Sequence, residues 1–271
     1  MSDILANMNP KIISVTNQKG GVGKTTTTIN LGAALAELGK RVLIVDLDPQ
    51  GNASTGLGIE VEERTFTTYE LLLDDVSLQD VVYKSDQENL FIVPATVDLS
   101  SADMELVSNE KRSFLLHDAL RQPAMTDLGF DFILIDCPPS LNLMTVNAMV
   151  ASDSVLIPLQ SEFFALEGLS QLMLTIREVR NSANTSLRIE GVVLTMYDAR
   201  NNLSQQVEQD ARDNLGELVF KTIIPRNVRV SEAPSFAMPV ITYDSASKGA
   251  VAYRALAKEL LANSKSTPEA A

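Results

Sequence analysis

The sequence predicts an α/β fold, a doubly wound and mostly parallel sheet with helices on both faces. Three observations predict it. Short apolar, β-branched runs alternate with helical patterns along nearly the whole chain of 271 residues. Several runs, such as Phe132-Ile133-Leu134-Ile135, are apolar throughout, as strands covered on both faces are. A glycine-rich loop, Lys19-Gly20-Gly21-Val22-Gly23-Lys24-Thr25-Thr26, joins the first run to the first helical pattern.

The first strand is expected over Ile12–Thr16, and the first helix over Thr25–Leu38 with Gly39 as its C-terminal cap. Strand Arg41–Asp46 follows, then helix Thr68–Leu73 and strand Leu90–Val93. Helix Ser113–Arg121 precedes strand Phe132–Asp136, and helix Leu143–Val150 precedes strand Ser154–Leu159. Helix Leu166–Arg180 carries Met173, Ile176 and Val179 at helical spacing, a core-facing stripe. Strand Ile189–Thr195, helix Ser204–Leu215, strand Thr222–Ile224 and helix Gly249–Leu261 complete the alternation. One domain is expected over residues 11–262, after a flexible segment 1–10 and before a polar, disordered tail 263–271.

The loop carries the clearest chemistry. Gly20, Gly21 and Gly23 lack a Cβ, so the backbone can turn sharply and aim N–H groups at phosphate oxygens. Lys24 is placed to neutralise β and γ phosphates, and Thr25 to put its hydroxyl on Mg²⁺. Two features depart from the ordinary loop. Gln18 stands where that pattern has its first glycine, and Lys19 adds a second lysine.

A second constellation, Arg41-Val42-Leu43-Ile44-Val45-Asp46-Leu47-Asp48, ends a strand in two carboxylates at i and i+2. The carboxyl ends of parallel strands face the ligand crevice, so this pair suits support of a metal and orientation of an attacking water. The run Phe132–Asp136 likewise ends in a carboxylate that can hold Mg²⁺. Cys137, the single cysteine, reads as a small buried apolar residue, and His117, the single histidine, as a packing or surface residue.

Composition excludes several classes. One cysteine allows no internal disulfide and no Cys-rich metal site. No apolar run approaches the ~18 residues of a membrane span, and residues 1–10 lack a signal-peptide pattern. Those absences point to the cytoplasm. The formal net charge is −13, but it is unevenly spread. Residues 60–110 hold 13 acids against Arg64 and Lys84, whereas residues 220–258 hold six cations against Glu232 and Asp244. An acidic protein can therefore still present a basic face.

The loop Lys19–Thr26 and the stretch Arg41–Asn52 resemble the signatures of the ParA/MinD family, P-loop NTPases with a deviant Walker A motif. Thr195-Met196-Tyr197-Asp198-Ala199-Arg200 and the stretch Ile224–Ser235 resemble the late motifs of its chromosomal ParA (Soj) branch. The resemblance implies an ATPase that partitions chromosomes, with ATP and Mg²⁺ as ligands. Residues Lys19, Gly20, Gly21, Val22, Gly23, Lys24, Thr25 and Thr26 would hold the phosphates, Lys19 by reaching across to the partner's nucleotide. Asp48 would polarise the water, and Thr25, Asp46 and Asp136 would lie at the metal. Met196, Pro225 and Asn227 would line the adenine pocket; Arg200, Arg229 and Lys248 would hold DNA without reading bases. The stretch Gln160–Gly168, with Glu162, matches a family segment of structural or switch-like character.

The implied partners are a second copy bound in an ATP-dependent homodimer, DNA of any sequence, and a ParB-like centromere-binding protein, on the nucleoid in the cytoplasm. Rival readings fit less well. A membrane-bound division ATPase would need a basic amphipathic C-terminal helix, and the polar end here does not supply one. An iron–sulfur reductase would need more cysteines than Cys137. A ParA-like ATPase that positions another cargo, such as a chemoreceptor cluster, could keep every residue named above.

Overall fold

A computed structural model describes residues 9–74, 76–162 and 165–266. Its seven strands are β1 (Lys11–Val15), β2 (Val42–Asp46), β3 (Tyr83–Lys84), β4 (Leu90–Val93), β5 (Phe132–Asp136), β6 (Ser154–Gln160) and β7 (Arg188–Thr195). They form one sheet in the order β3-β4-β2-β5-β1-β6-β7. All neighbours are parallel except the edge pair β3–β4. The doubly wound, mostly parallel sheet expected from the sequence is therefore present. The two-residue β3 was too short to read from pattern alone.

Thirteen α-helical segments lie among the described residues. They are α1 (Lys24–Glu37), α2 (Asn52–Gly56), α3 (Thr68–Leu73), α4 (Leu78–Val81), α5 (Ala102–Glu105), α6 (Leu115–Leu120), α7 (Pro123–Leu128), α8 (Leu143–Ala151), α9 (Ala165–Ser182), α10 (Asn202–Leu215), α11 (Val228–Glu232), α12 (Val240–Tyr243) and α13 (Lys248–Ser266). Residues alternate across the sheet into two cores. Ile13, Ile44, Leu134 and Leu156 face α1, α12 and α13, while Ile12, Leu43 and Ile133 face α3, α6 and α8. A third cluster packs Val155, Ile157 and Leu194 under α9 and α10. Helix α1 is buried along most of its length between sheet and α13, and it ends as predicted at Gly39, whose φ is 79°. The Gly39 N–H donates to Ala36 and the Lys40 N–H to Leu35, the two bonds of a Schellman cap.

Two expectations are corrected. Thr222–Ile224 is not a strand. Its segment runs beside β7 with single bridges, Val192 to Val219 and Tyr197 to Pro225. The reason is local: the N–H groups of Lys221 and Thr222 donate to the Glu259 carboxylate of α13, at 2.7 and 2.9 Å, so they are lost to a ladder. The polar tail also begins later than expected. Helix α13 continues to Ser266, and the Ser264 hydroxyl donates to the Leu260 carbonyl while accepting from the Lys11 ammonium. Residues 267–271, and residues 1–8 of the leading segment, lie outside the described residues.

Because α13 closes one face of the sheet, its Leu256, fully buried, belongs to the main core. Leu256→Ala is expected to cost about 2–5 kcal/mol. Urea unfolding checks this as a lower midpoint at an unchanged slope.

Candidate active site

The loop between β1 and α1 is shaped by its glycines. Gly21 and Gly23 sit at φ 74° and 86°, values a side chain disfavours. The loop is braced from both sides. The Thr195 hydroxyl at the end of β7 donates to the Val22 carbonyl at 2.8 Å, and Asn17 accepts from the Lys19 N–H while donating to the Pro158 carbonyl. The Lys24 ammonium turns back into the loop and donates to the Lys19 carbonyl at 3.1 Å. Burial lowers the Lys24 pKa, opposed by the negative charge of Asp136 and Asp48.

Asp46 and Asp136 are register partners at the carboxyl ends of β2 and β5, and neither has exposed surface. Burial pushes Asp46 up to about 6, partly offset by its hydrogen bonds from Ser54 and Asp48. Asp136 is raised well above the carboxylate range by burial and then by the charge of Asp46. Their surroundings differ. Asp46 is fully engaged, accepting from the Asp48 N–H at 3.1 Å and from the Ser54 N–H and hydroxyl at 3.0 and 2.7 Å. Asp136 accepts from the Thr28 hydroxyl at 3.1 Å through Oδ1, and its Oδ2 has no partner among the described residues. A buried carboxylate oxygen without a donor is costly. It is the kind of atom that a cation would satisfy.

A cavity of about 730 Å³ opens over these strand ends. Of the expected residues it is lined by Gly20, Gly21, Gly23, Lys24, Thr25, Thr26, Asp48 and Met196. Asp46 and Asp136 lie beneath it. Val22 is buried under the loop. Asp48 sits at the cavity wall, where its Oδ1 accepts from the Gln50 N–H at 3.0 Å. Lys19 points elsewhere: its ammonium pairs with Glu162 at 2.9 Å. Pro225 lines a separate hollow with Tyr197 and Lys248. Asn227 does not line the cavity either, although its Oδ1 is buried without a partner among the described residues. Sequence reading missed Asn142, Pro234 and Met238 on the cavity wall, whose residue types carry no phosphate signal. It also missed Ser54, which latches Asp46 and accepts from the Ala95 N–H at 3.1 Å.

Among the described residues, no three His, Cys, Asp or Glu side chains form a metal site by themselves. A magnesium ion here would therefore share its oxygens between protein and phosphate. Thr25 on the cavity wall and the unsatisfied Asp136 oxygen suit that hard cation.

The loops after β7 form a second face. The Tyr197 N–H donates to the Ile224 carbonyl and the Arg226 N–H to the Tyr197 carbonyl, so the two late motifs touch. Arg200 is 90% exposed and paired bidentately with Asp198, which it holds down to about 2. Arg229 pairs with Glu232 at 2.9 Å and Asp244 at 3.2 Å. Lys248 opens α13, and Gly249 beside it packs against Asn227 and Val230. Arg226, which sequence reading left out of this group, has no ion pair among the described residues.

Comparison with known proteins decides the family. A protein-family profile described as an AAA domain matches residues 10–189. The sporulation initiation inhibitor protein Soj of Bacillus subtilis is 54% identical over 253 residues, covering 93% of this chain and 99% of that protein. The chain belongs to the ParA/Soj ATPase family. The chromosome partitioning protein ParA of Caulobacter vibrioides is 53% identical, covering 95% of this chain and 96% of that protein. Among solved structures, a cobyrinic acid a,c-diamide synthase from Mycobacterium smegmatis with bound ADP and magnesium aligns at a TM-score of 0.81. It is 38% identical and covers 95% of this chain and 96% of that one. Within this ParA-family fold, the phosphate loop and both strand-end carboxylates occupy one end of the sheet.

The Ser54 latch is directly testable. Ser54→Ala leaves the buried Ala95 N–H unpaired and removes one bond to Asp46. A loss of about 1–3 kcal/mol is expected, read from urea unfolding against the parent chain.

Proposed function

We propose that the chain is a chromosome-partitioning ATPase that closes on Mg-ATP as a dimer and then holds DNA of any sequence. The carrying observation is the unsatisfied Asp136 oxygen, buried beside Asp46 under a cavity walled by Lys24, Thr25 and Asp48. The family relationship supports the reading, because relatives at 53–54% identity are named as Soj and ParA.

In this reading the N–H groups of the loop Gly20–Thr26 and the Lys24 ammonium bind the phosphates. Thr25 and Asp136 would hold magnesium, which supplies positive charge to the phosphate oxygens when bound. Asp46 stands behind them and fixes the loop that carries Asp48. Asp48 accepts a hydrogen bond from the attacking water and orients it. Lys19 completes the partner's site, so that dimerisation depends on ATP. Met196 contacts the base; Asn227 and Pro225 join it if their loop moves toward the cavity. A ParB-like partner stimulates hydrolysis, and hydrolysis releases the dimer. No helix among the described residues is long and apolar enough to cross a membrane, and we place the protein on the nucleoid.

Asp48→Ala is expected to keep ATP binding and to lose turnover by roughly 10²-fold or more, as for a lost water-orienting group. Phosphate release and analogue titration together check it; turnover at the parent rate would overturn the role.

On the second face, Arg200, Arg229 and Lys248 meet phosphates from both protomers, doubling the contacts in the dimer. Asp198 competes with DNA for Arg200, and Glu232 and Asp244 compete with it for Arg229. Arg229→Ala removes two contacts per dimer and should flatten the salt dependence of log K by about 1.8. Fluorescence anisotropy on two unrelated duplexes across a salt series measures it. An unchanged slope would move the DNA surface elsewhere.

A further inference from the structure

Lys19 is the residue that distinguishes this loop, and in the single chain its ammonium is already engaged. It pairs with Glu162 Oε2 at 2.9 Å. The Glu162 carboxylate is itself set in place, since its Oε1 accepts from the Gln160 side chain at 2.5 Å and its own N–H donates to the Gln160 carbonyl at 2.8 Å. Gln160 is the last residue of β6, the strand next to β1. A second bond anchors the loop nearby: the Gln18 side chain donates to the Gly168 carbonyl in the first turn of α9 at 2.9 Å. The front of the phosphate loop is thus fastened at Lys19 to Glu162, just after β6, and at Gln18 to the first turn of α9.

We propose that Glu162 is a positioning residue that holds Lys19 within its own protomer and so sets the threshold at which nucleotide drives dimerisation. The proposal rests on the reading that Lys19 serves the partner's nucleotide. An ammonium held by one carboxylate must leave it before meeting phosphate, because the two anions compete for one charge. The backbone links the two lysines as well, since the Lys24 ammonium donates to the carbonyl of Lys19. Drawing Lys24 toward phosphate removes that bond and frees the Lys19 backbone to shift. Nucleotide in one protomer thereby loosens the lysine offered to the other.

The pair is partly open to water, with Lys19 37% and Glu162 50% exposed in their side chains. Exposed pairs of this kind are weak and screened by salt. A weak latch suits a switch, because it delays closure without forbidding it. Two latches open per dimer, so their effect on the dimerisation constant is squared.

The test uses the full chain with Mg²⁺ and a non-hydrolysable ATP analogue, reading the dimer fraction by light scattering at 50 mM and 500 mM salt. Glu162→Gln keeps the shape and removes the charge. It should raise the dimerisation constant roughly twofold to thirtyfold at low salt, with a smaller gain at high salt. In the Lys19→Ala background the same change should do nothing, whereas a purely structural role for Glu162 would persist there. An unchanged or lower constant for Glu162→Gln, with Lys19→Ala still impaired, overturns the latch and leaves the cross-subunit lysine standing. Parent-like dimerisation by Lys19→Ala overturns the cross-subunit lysine itself, and the latch with it.

Discussion

Asp46 and Asp136 lie side by side at the ends of β2 and β5, out of reach of water, and much of the site follows from keeping them there. Two adjacent buried carboxylates repel each other and cost several kcal/mol per charge unless they are neutralised or well bonded. The two are treated differently. Asp46 is satisfied by the loop that follows it, through Ser54 and the Asp48 N–H, so its charge is spent on shape. Asp136 keeps one oxygen unsatisfied under the phosphate loop. The asymmetry ties Asp46 to the loop that follows it and leaves one Asp136 oxygen without a donor among the described residues, with Lys24 near enough to be influenced by it.

The scaffold around this pair is continuous. Ser54 connects Asp46 to the end of β4 through the Ala95 N–H, and Arg64 reaches the Ala95 and Ile59 carbonyls from the same side. Thr195 joins the end of β7 to the Val22 carbonyl. The residues after β4 thus brace the loop that follows β2, while β6 and β7 brace the phosphate loop. On the second face, the residues that follow β7 carry Arg200 and touch the stretch that carries Arg229. That face is nearly balanced by its own acids. In the proposed dimer such a surface would bind a polyanion weakly from one protomer and strongly from two.

Much of this was legible in the sequence because it is local. Consecutive apolar residues mark β5, glycines without a Cβ mark the phosphate loop, and Gly39 marks the end of α1. What escaped depends on partners distant along the chain. The Glu259 carboxylate takes the donors that Lys221 and Thr222 would have given a strand. The latch that Ser54 places on Asp46, eight positions earlier, had no signal in the sequence. Glu162 gave no chemical signal until Lys19 was found beside it, 143 positions away. Asn227 and Pro225, expected at the adenine, lie off the cavity because their loop is held against β7 by backbone bonds at Ile224 and Arg226.

If the cationic side of this site is assembled from two chains, then the mass of the protein must follow its nucleotide. The most direct measurement is sedimentation equilibrium of the full chain with Mg²⁺ and either ADP or a non-hydrolysable ATP analogue. With ADP the expected mass is that of one chain, 29.5 kDa, and with the analogue it doubles. One chain's mass under both conditions would contradict a site completed across the dimer.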